Sequence, residues 1–183
     1  MTRPINFIIF GPVNSGTTTA LNRITLNLER MFNLSDLPIP IDDAEPLTKN
    51  LSKITKTEPI APILIGDYLN TWPKSLLPAV HGSNFITNRR GREIDVSNLR
   101  FTAIVTYKRS LDSFVDYTKN IFPEFEKSDI DFIFKIKPDQ TIHIYNQDHS
   151  VDITNPYDPE NDVYFARSTI DSAMTSRIAK HLK

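Results

Sequence analysis

The run Ile5-Asn6-Phe7-Ile8-Ile9-Phe10 passes directly into Gly-Pro-Val-Asn-Ser-Gly-Thr-Thr-Thr, and then into a stretch whose apolar residues recur every three or four positions. Few folds accommodate that succession. A continuous apolar run rich in β-branched and aromatic residues reads as a strand buried on both faces. Leu21, Ile24, Leu28, Met31 and Phe32 predict an amphipathic helix from Thr18 to about residue 32. Between the two, Gly11 and Gly16 have the spacing of a phosphate-binding loop, G-x-x-x-x-G-K-[ST], and use two of the five glycines in 183 residues. Thr17 stands at the lysine position and Thr18 at the hydroxyl position that ligates magnesium.

Such a loop works through backbone N–H groups that converge on phosphate at a helix N-terminus, where the helix dipole also favours negative charge. The candidate nucleotide-binding residues are Gly11, Asn14, Ser15, Gly16, Thr17, Thr18 and Thr19. A plain strand-to-helix turn uses similar residues and is the competing reading. Without the lysine, the β- and γ-phosphates lose a point charge, and such terms are worth several kcal/mol in a transition state.

Further strands are expected at 61–66, 101–107 and 131–137. A hairpin is expected over 141–153, where "TIHIYNQDHSVDI" alternates around a polar turn. Ser110 is placed to cap a helix carrying Leu111, Phe114, Val115, Thr118 and Phe122. Short helical segments are expected over 47–54 and between the prolines of 67–82, and a closing helix over 168–182. "FITNRRGREID" reads as a polar, basic loop. Strands alternating with helices predict an α/β layered domain with a mainly parallel sheet and a C-terminal hairpin, one domain over 1–183. "APILIGD" resembles a strand ending in a magnesium-holding carboxylate, Asp67. It is expected beside strand 5–10, because Thr18 and Asp67 would have to reach one ion.

Composition excludes several classes. Cysteine is absent, which removes disulfides, zinc ribbons and thiol nucleophiles. A net charge of -1 argues against a generally basic nucleic-acid binder. No apolar run approaches the roughly 20 residues that span a bilayer, and the N-terminal run is too short for a secretory signal, so an intracellular protein is expected. His81, His143, His149 and His181 lack metal-ligand spacing, and no G-x-S-x-G elbow accompanies the serines. Trp72 is expected in the core.

With the loop at 11 and Asp67, the segments "SNFITNRRGREIDVSNLRFTAIVTYKRS" and "FPEFEKSDIDFIFKIK" resemble, in collinear order, the FtsK–HerA superfamily. The likeness is to the genome-packaging ATPases of large DNA viruses of poxvirus and iridovirus type, over about residues 5–137. It implies a P-loop NTPase-like domain that binds ATP and magnesium and handles DNA in the host cytoplasm or the virion. Its partners would be copies of itself or other virion proteins, with DNA a further candidate. Residues 85–90 match an asparagine–arginine segment, 105–108 a sensor strand and 131–135 a last strand. In this likeness Asp67 is a catalytic candidate, Thr18 and Asp67 are the metal ligands, and Arg89, Arg90 and Arg92 are an arginine finger or DNA contact. Lys108, which with Arg109 follows the strand end on the edge where such folds bind nucleotides, is a catalytic candidate as a replacement for the missing cation.

The departures all touch hydrolysis: Thr17 for lysine, Tyr68 for the expected second acid, Lys108 for the sensor glutamine. The alternatives are therefore a divergent ATPase with impaired hydrolysis and an inactive P-loop-fold protein serving as a structural or interaction subunit. A small-molecule or nucleoside kinase is a further alternative, since "FGPVNSGTTTAL" also resembles the loop of zinc-containing thymidine kinases. For Lys108 and the arginines a solvated basic loop is the competing reading.

Overall fold

The computed structural model describes residues 3–32, 39–41, 63–66, 71–87, 90–97, 99–108, 110–136, 142–145, 151–155, 175–176 and 178–180. In chain order these form β1 (Ile5–Phe10), α1 (Thr17–Phe32), β2 (Ile39–Ile41), β3 (Ile63–Gly66), α2 (Leu77–His81), β4 (Phe85–Thr87), β5 (Glu93–Asp95) and β6 (Phe101–Thr106). There follow α3 (Leu111–Ile121), a 3-10 turn (Lys127–Asp129), β7 (Phe132–Ile136), β8 (Ile142–Tyr145) and β9 (Val151–Asn155). Residues 175–176 and 178–180 are helical, within the expected closing helix. The short helix expected over 47–54 lies outside the described residues.

The main sheet has the order β2-β3-β6-β1-β7-β8-β9. Its first five strands run parallel, and β8 and β9 extend it as the expected antiparallel hairpin. β1 is central and pairs with β6 from Ile5↔Phe101 to Phe10↔Thr106, and with β7 from Phe7↔Phe132 to Phe10↔Lys135. Burial on both faces explains why its sequence is nearly continuous in apolar residues rather than alternating.

Successive side chains of β1 leave on opposite faces. Phe7 and Ile9 pack with Leu21, Ile24 and Leu28 of α1, whereas Ile8 and Phe10 pack with Val80 of α2 and Phe114 of α3. The result is helices on both sides of a parallel sheet. Trp72 is fully buried, edge-on to Phe114 at 5.7 Å between ring centroids, and is a core residue as its sequence context suggested. Among the described residues no helix is long and apolar enough to cross a membrane.

Two expectations are corrected. β3 lies in the same sheet as β1 and parallel to it, but β6 separates them. β6 is the better neighbour for the centre: all six of its residues are buried and it matches β1 along its whole length. Residues 85–87 and 93–95, expected in a loop, are strands. They form the antiparallel pair β4–β5, with Ile86 opposite Ile94, both buried, between exposed neighbours. The alternation is short, and the polar outward residues and the basic tip mask it.

Ser110 caps α3 as expected. Its hydroxyl accepts the Ser113 N–H at 3.1 Å, and the Ser113 hydroxyl oxygen accepts the Ser110 N–H at 3.4 Å, a reciprocal capping box. Ser110→Ala is expected to lower stability by about 1 kcal/mol, as for other N-cap truncations. In urea unfolding this appears as a shifted midpoint at unchanged slope.

The end of the sheet opposite the loop holds a buried polar knot. Asn6, fully buried, donates its amide hydrogens to the carbonyls of Val80 and Asp129, both at 2.8 Å, and accepts the Thr102 hydroxyl at 2.6 Å. The Asp131 carboxylate accepts the Asn6 backbone N–H at 2.8 Å and pairs with Arg3 at 2.6 Å. Asp129, also buried, accepts His81 Nδ1–H at 2.8 Å. These bonds fasten α2 and the 3-10 turn to β1 and β6.

Candidate functional site

The segment 11–19 leaves the C-terminal end of β1, the central strand, and enters α1. In open parallel sheets this edge is where ligands bind. Two backbone positions make the turn. Asn14 has φ 64° and Gly16 φ 82°, the left-handed region that glycine enters freely and asparagine tolerates. The Ser15 N–H and hydroxyl both donate to the Pro12 carbonyl, at 3.1 and 2.7 Å, closing the four-residue turn from within. Val13 projects at its tip, 68% exposed.

α1 begins at Thr17, one residue earlier than its periodicity predicts. Its first intrahelical bond outside the regular ladder runs from the Ala20 N–H to the Gly16 carbonyl at 3.0 Å, so the amides of Thr17, Thr18 and Thr19 precede the ladder. No acidic residue occupies this first turn, where the positive end of the helix dipole favours an anion. Thr18 is half-buried and Thr19 exposed.

Thr17 behaves differently from its neighbours. It is only 3% exposed, and its methyl group lies 2.5 Å from where a side-chain carbon on Gly11 would stand. The Ser15 hydroxyl lies 2.6 Å from the same point. The absent side chain of Gly11 is thus the space into which the loop folds back on itself. That is a steric reason for glycine at position 11.

The neighbouring strand supplies the rest of the edge. The Thr106 carbonyl, at the end of β6, accepts the Gly11 N–H at 3.4 Å, and the buried Thr106 hydroxyl accepts the Lys108 N–H at 3.2 Å. Lys108 is therefore carried next to the loop, yet its Nζ lies 4.1 Å from the centre of the Tyr117 ring on α3. In the sequence Thr106 figured only within the sensor-strand match at 105–108, and Tyr117 in no motif. Tyr117 had one signal, since it falls on the face of α3 left out of the apolar stripe.

The other candidates lie elsewhere or outside the described residues. Arg90 and Arg92 are exposed at the turn joining β4 to β5, around Gly91 at φ 73°. At the end of the β4–β5 pair away from that turn, hydrogen bonds from Ser97, its hydroxyl foremost and its amide next, hold the Asp95 carboxyl below the usual carboxylate range. Arg89 and Asp67 lie outside the described residues. Gly66, the last described residue of β3, pairs with Ile104, two residues short of the end of β6. Of the proposed magnesium ligands, then, only Thr18 is described. One hydroxyl fits a magnesium ion that takes its remaining oxygens from phosphate and water. Among the described residues no group of three or more His, Asp or Glu side chains forms a metal cluster.

No protein-family model and no curated protein matches the chain. Among solved structures it is similar to the genome packaging NTPase B204 from Sulfolobus turreted icosahedral virus 2, solved in complex with AMP. The TM-score is 0.47 at 11% sequence identity, over 86% of this chain and 100% of that one.

Proposed function

We propose that the loop at 11–19 is a nucleotide phosphate site of P-loop type, and that the chain is a divergent ATPase of the viral DNA-packaging kind with impaired hydrolysis. The observation that carries this reading is the placement of Gly11–Gly16 between the central parallel strand and the start of α1 at Thr17, with left-handed backbone at Asn14 and Gly16. Phosphate oxygens would meet the amides at the head of α1, and the Thr18 hydroxyl would be the side chain there that holds a magnesium ion. Magnesium, when bound, neutralises phosphate charge and orients the terminal group. Asp67 and Lys108 remain the catalytic candidates. The exposed Arg90 and Arg92, with Arg89, are the proposed contacts to DNA or to a neighbouring copy, within a single 1–183 domain acting in host cytoplasm or virion.

The binding step is tested by calorimetric titration with ATP and magnesium. Backbone amides survive the loss of lysine and the point charge does not. The expected dissociation constant is therefore in the high micromolar range, about -5 to -6 kcal/mol. A constant below about 1 μM would contradict an impaired loop.

A second reading, an inactive subunit that keeps the fold, is favoured by the burial of Thr17 beneath the loop. A side chain in that position does not reach outward to a phosphate. Steady-state assays with magnesium separate the two: turnover that scales with ATP supports the ATPase, and binding without turnover supports the inactive subunit.

A further inference from the structure

Lys108 and the loop share one anchor. Thr106 accepts the N–H of Gly11 through its carbonyl and that of Lys108 through its hydroxyl. Adjacent strands stand about 4.8 Å apart, so the lysine leaves the sheet one strand from the loop, on a long and flexible stem. Its charge nevertheless points the other way. The ammonium rests over Tyr117, and α3 packs through Phe114 and Val115 on the face of the sheet opposite α1. Packing does not require an aromatic at 117. The buried residues of α3 are Phe114, Val115 and Thr118, whereas Tyr117 is 41% exposed.

We propose that Tyr117 is a positioning residue: it holds Lys108 off the phosphate loop until a terminal phosphate draws the lysine across to supply the charge that the loop itself lacks. The proposal rests on the nucleotide-binding reading above. An exposed cation–π contact is weak, and a charge-assisted bond to phosphate is considerably stronger. The ring therefore competes only mildly, and a triphosphate overcomes it. A diphosphate, held by loop amides, offers the lysine less. Tyr117 thus sets how strongly the site prefers ATP over ADP, because ligand affinity falls with the fraction of protein in the wrong state.

Calorimetric titration of ATP and ADP, each with magnesium, tests this on four proteins besides the wild type. Tyr117→Leu should strengthen ATP binding about two- to fivefold and leave ADP unchanged. Tyr117→Phe, which keeps the ring, should match the wild type. Lys108→Ala should weaken ATP binding by about tenfold or more, and the double variant Lys108→Ala/Tyr117→Leu should match Lys108→Ala alone. In NMR spectra of the wild type, the ring-current-shifted Lys108 side-chain signals should move on adding ATP and stay on adding ADP. Equal gains for ATP and ADP in Tyr117→Leu, or a gain that persists without Lys108, would overturn the proposal. If the wild type binds both nucleotides and Lys108→Ala alters neither, the proposal falls while the loop reading stands. If it binds neither, both fall.

Discussion

Asn6→Asp should destabilise the protein by about 3–5 kcal/mol, the range for a buried charge left without its partners. The substitution changes one atom and almost no volume. The wild-type amide donates to the carbonyls of Val80 and Asp129 at 2.8 Å each, and a carboxylate brings an oxygen to face both. The Thr102 hydroxyl still finds an acceptor, so the penalty falls on the two carbonyls and the charge. A protonated carboxyl returns one donor at most, which makes the loss depend on pH in a definite direction. Burial raises the folded-state pKa of the new aspartate above its unfolded value, about 3.9. The variant is then least impaired below pH 4 and loses stability as pH rises through the folded value. Asn6→Leu carries no charge and should lack this extra slope, although it too leaves the carbonyls and the hydroxyl unpaired. Urea unfolding of the three proteins between pH 4 and 8 measures both effects. An Asn6→Asp protein within about 1 kcal/mol of wild type at pH 7, against the penalty above, would show that the knot does not hold the sheet end together.

Gly11→Val should abolish nucleotide binding and lower stability by about 1–3 kcal/mol, the usual range for an overpacked site. The first added carbon would stand 2.5 Å from the Thr17 methyl, 2.6 Å from the Ser15 hydroxyl and 3.3 Å from Cβ of Ile136. Thr17 begins a helix, where a β-branched side chain has few rotamers to move to. Ser15 can turn aside only by giving up its 2.7 Å bond to Pro12. Ile136 belongs to β7, a buried strand. The loop must therefore open to admit the valine, and an open loop no longer directs its amides at one point. Gly91→Ala is the control. It meets nothing within 4 Å, pays only a left-handed backbone penalty of roughly 1–2 kcal/mol, and should bind nucleotide as the wild type does. A Gly11→Val protein that retains wild-type affinity for ATP would remove the loop from the binding site.

The strands and long helices were legible wherever one period dominated. β1, β6 and β7 announce themselves as apolar runs, and α1 and α3 as 3.6-residue stripes with a serine cap at Ser110. The order of the strands was less accessible, because pairing depends on matched length and two-sided burial. Both are met by β6 as the partner of β1. In β4–β5 each strand contributes one buried isoleucine, too short a pattern to separate from a basic loop. At the site, glycine spacing located the turn, but it could not show that Thr17 points inward. That direction follows from the space left by Gly11, a contact between residues whose relation only the fold defines. The resting place of Lys108 depends on Tyr117, which is on another element and carries no motif.

The central place of β1 also bears on the order of events during synthesis. β1 precedes every other strand of its sheet, yet its two neighbours begin only at residues 101 and 132. A nascent chain carries the sequence Ile5–Phe10 with neither flank available for pairing until Phe101 and its successors are made. Long-range parallel pairing of this kind is intrinsically slow. A short segment of high β-propensity and no charge is also the sort that associates with copies of itself while it waits. The amphipathic helix that follows can cover one face of the segment early, but its edges stay open until β6 and β7 emerge. The arrangement that puts the loop at the middle of the sheet thus makes its founding strand the one that waits longest for both neighbours, and makes polysomes and crowded synthesis sites the setting in which that wait matters most.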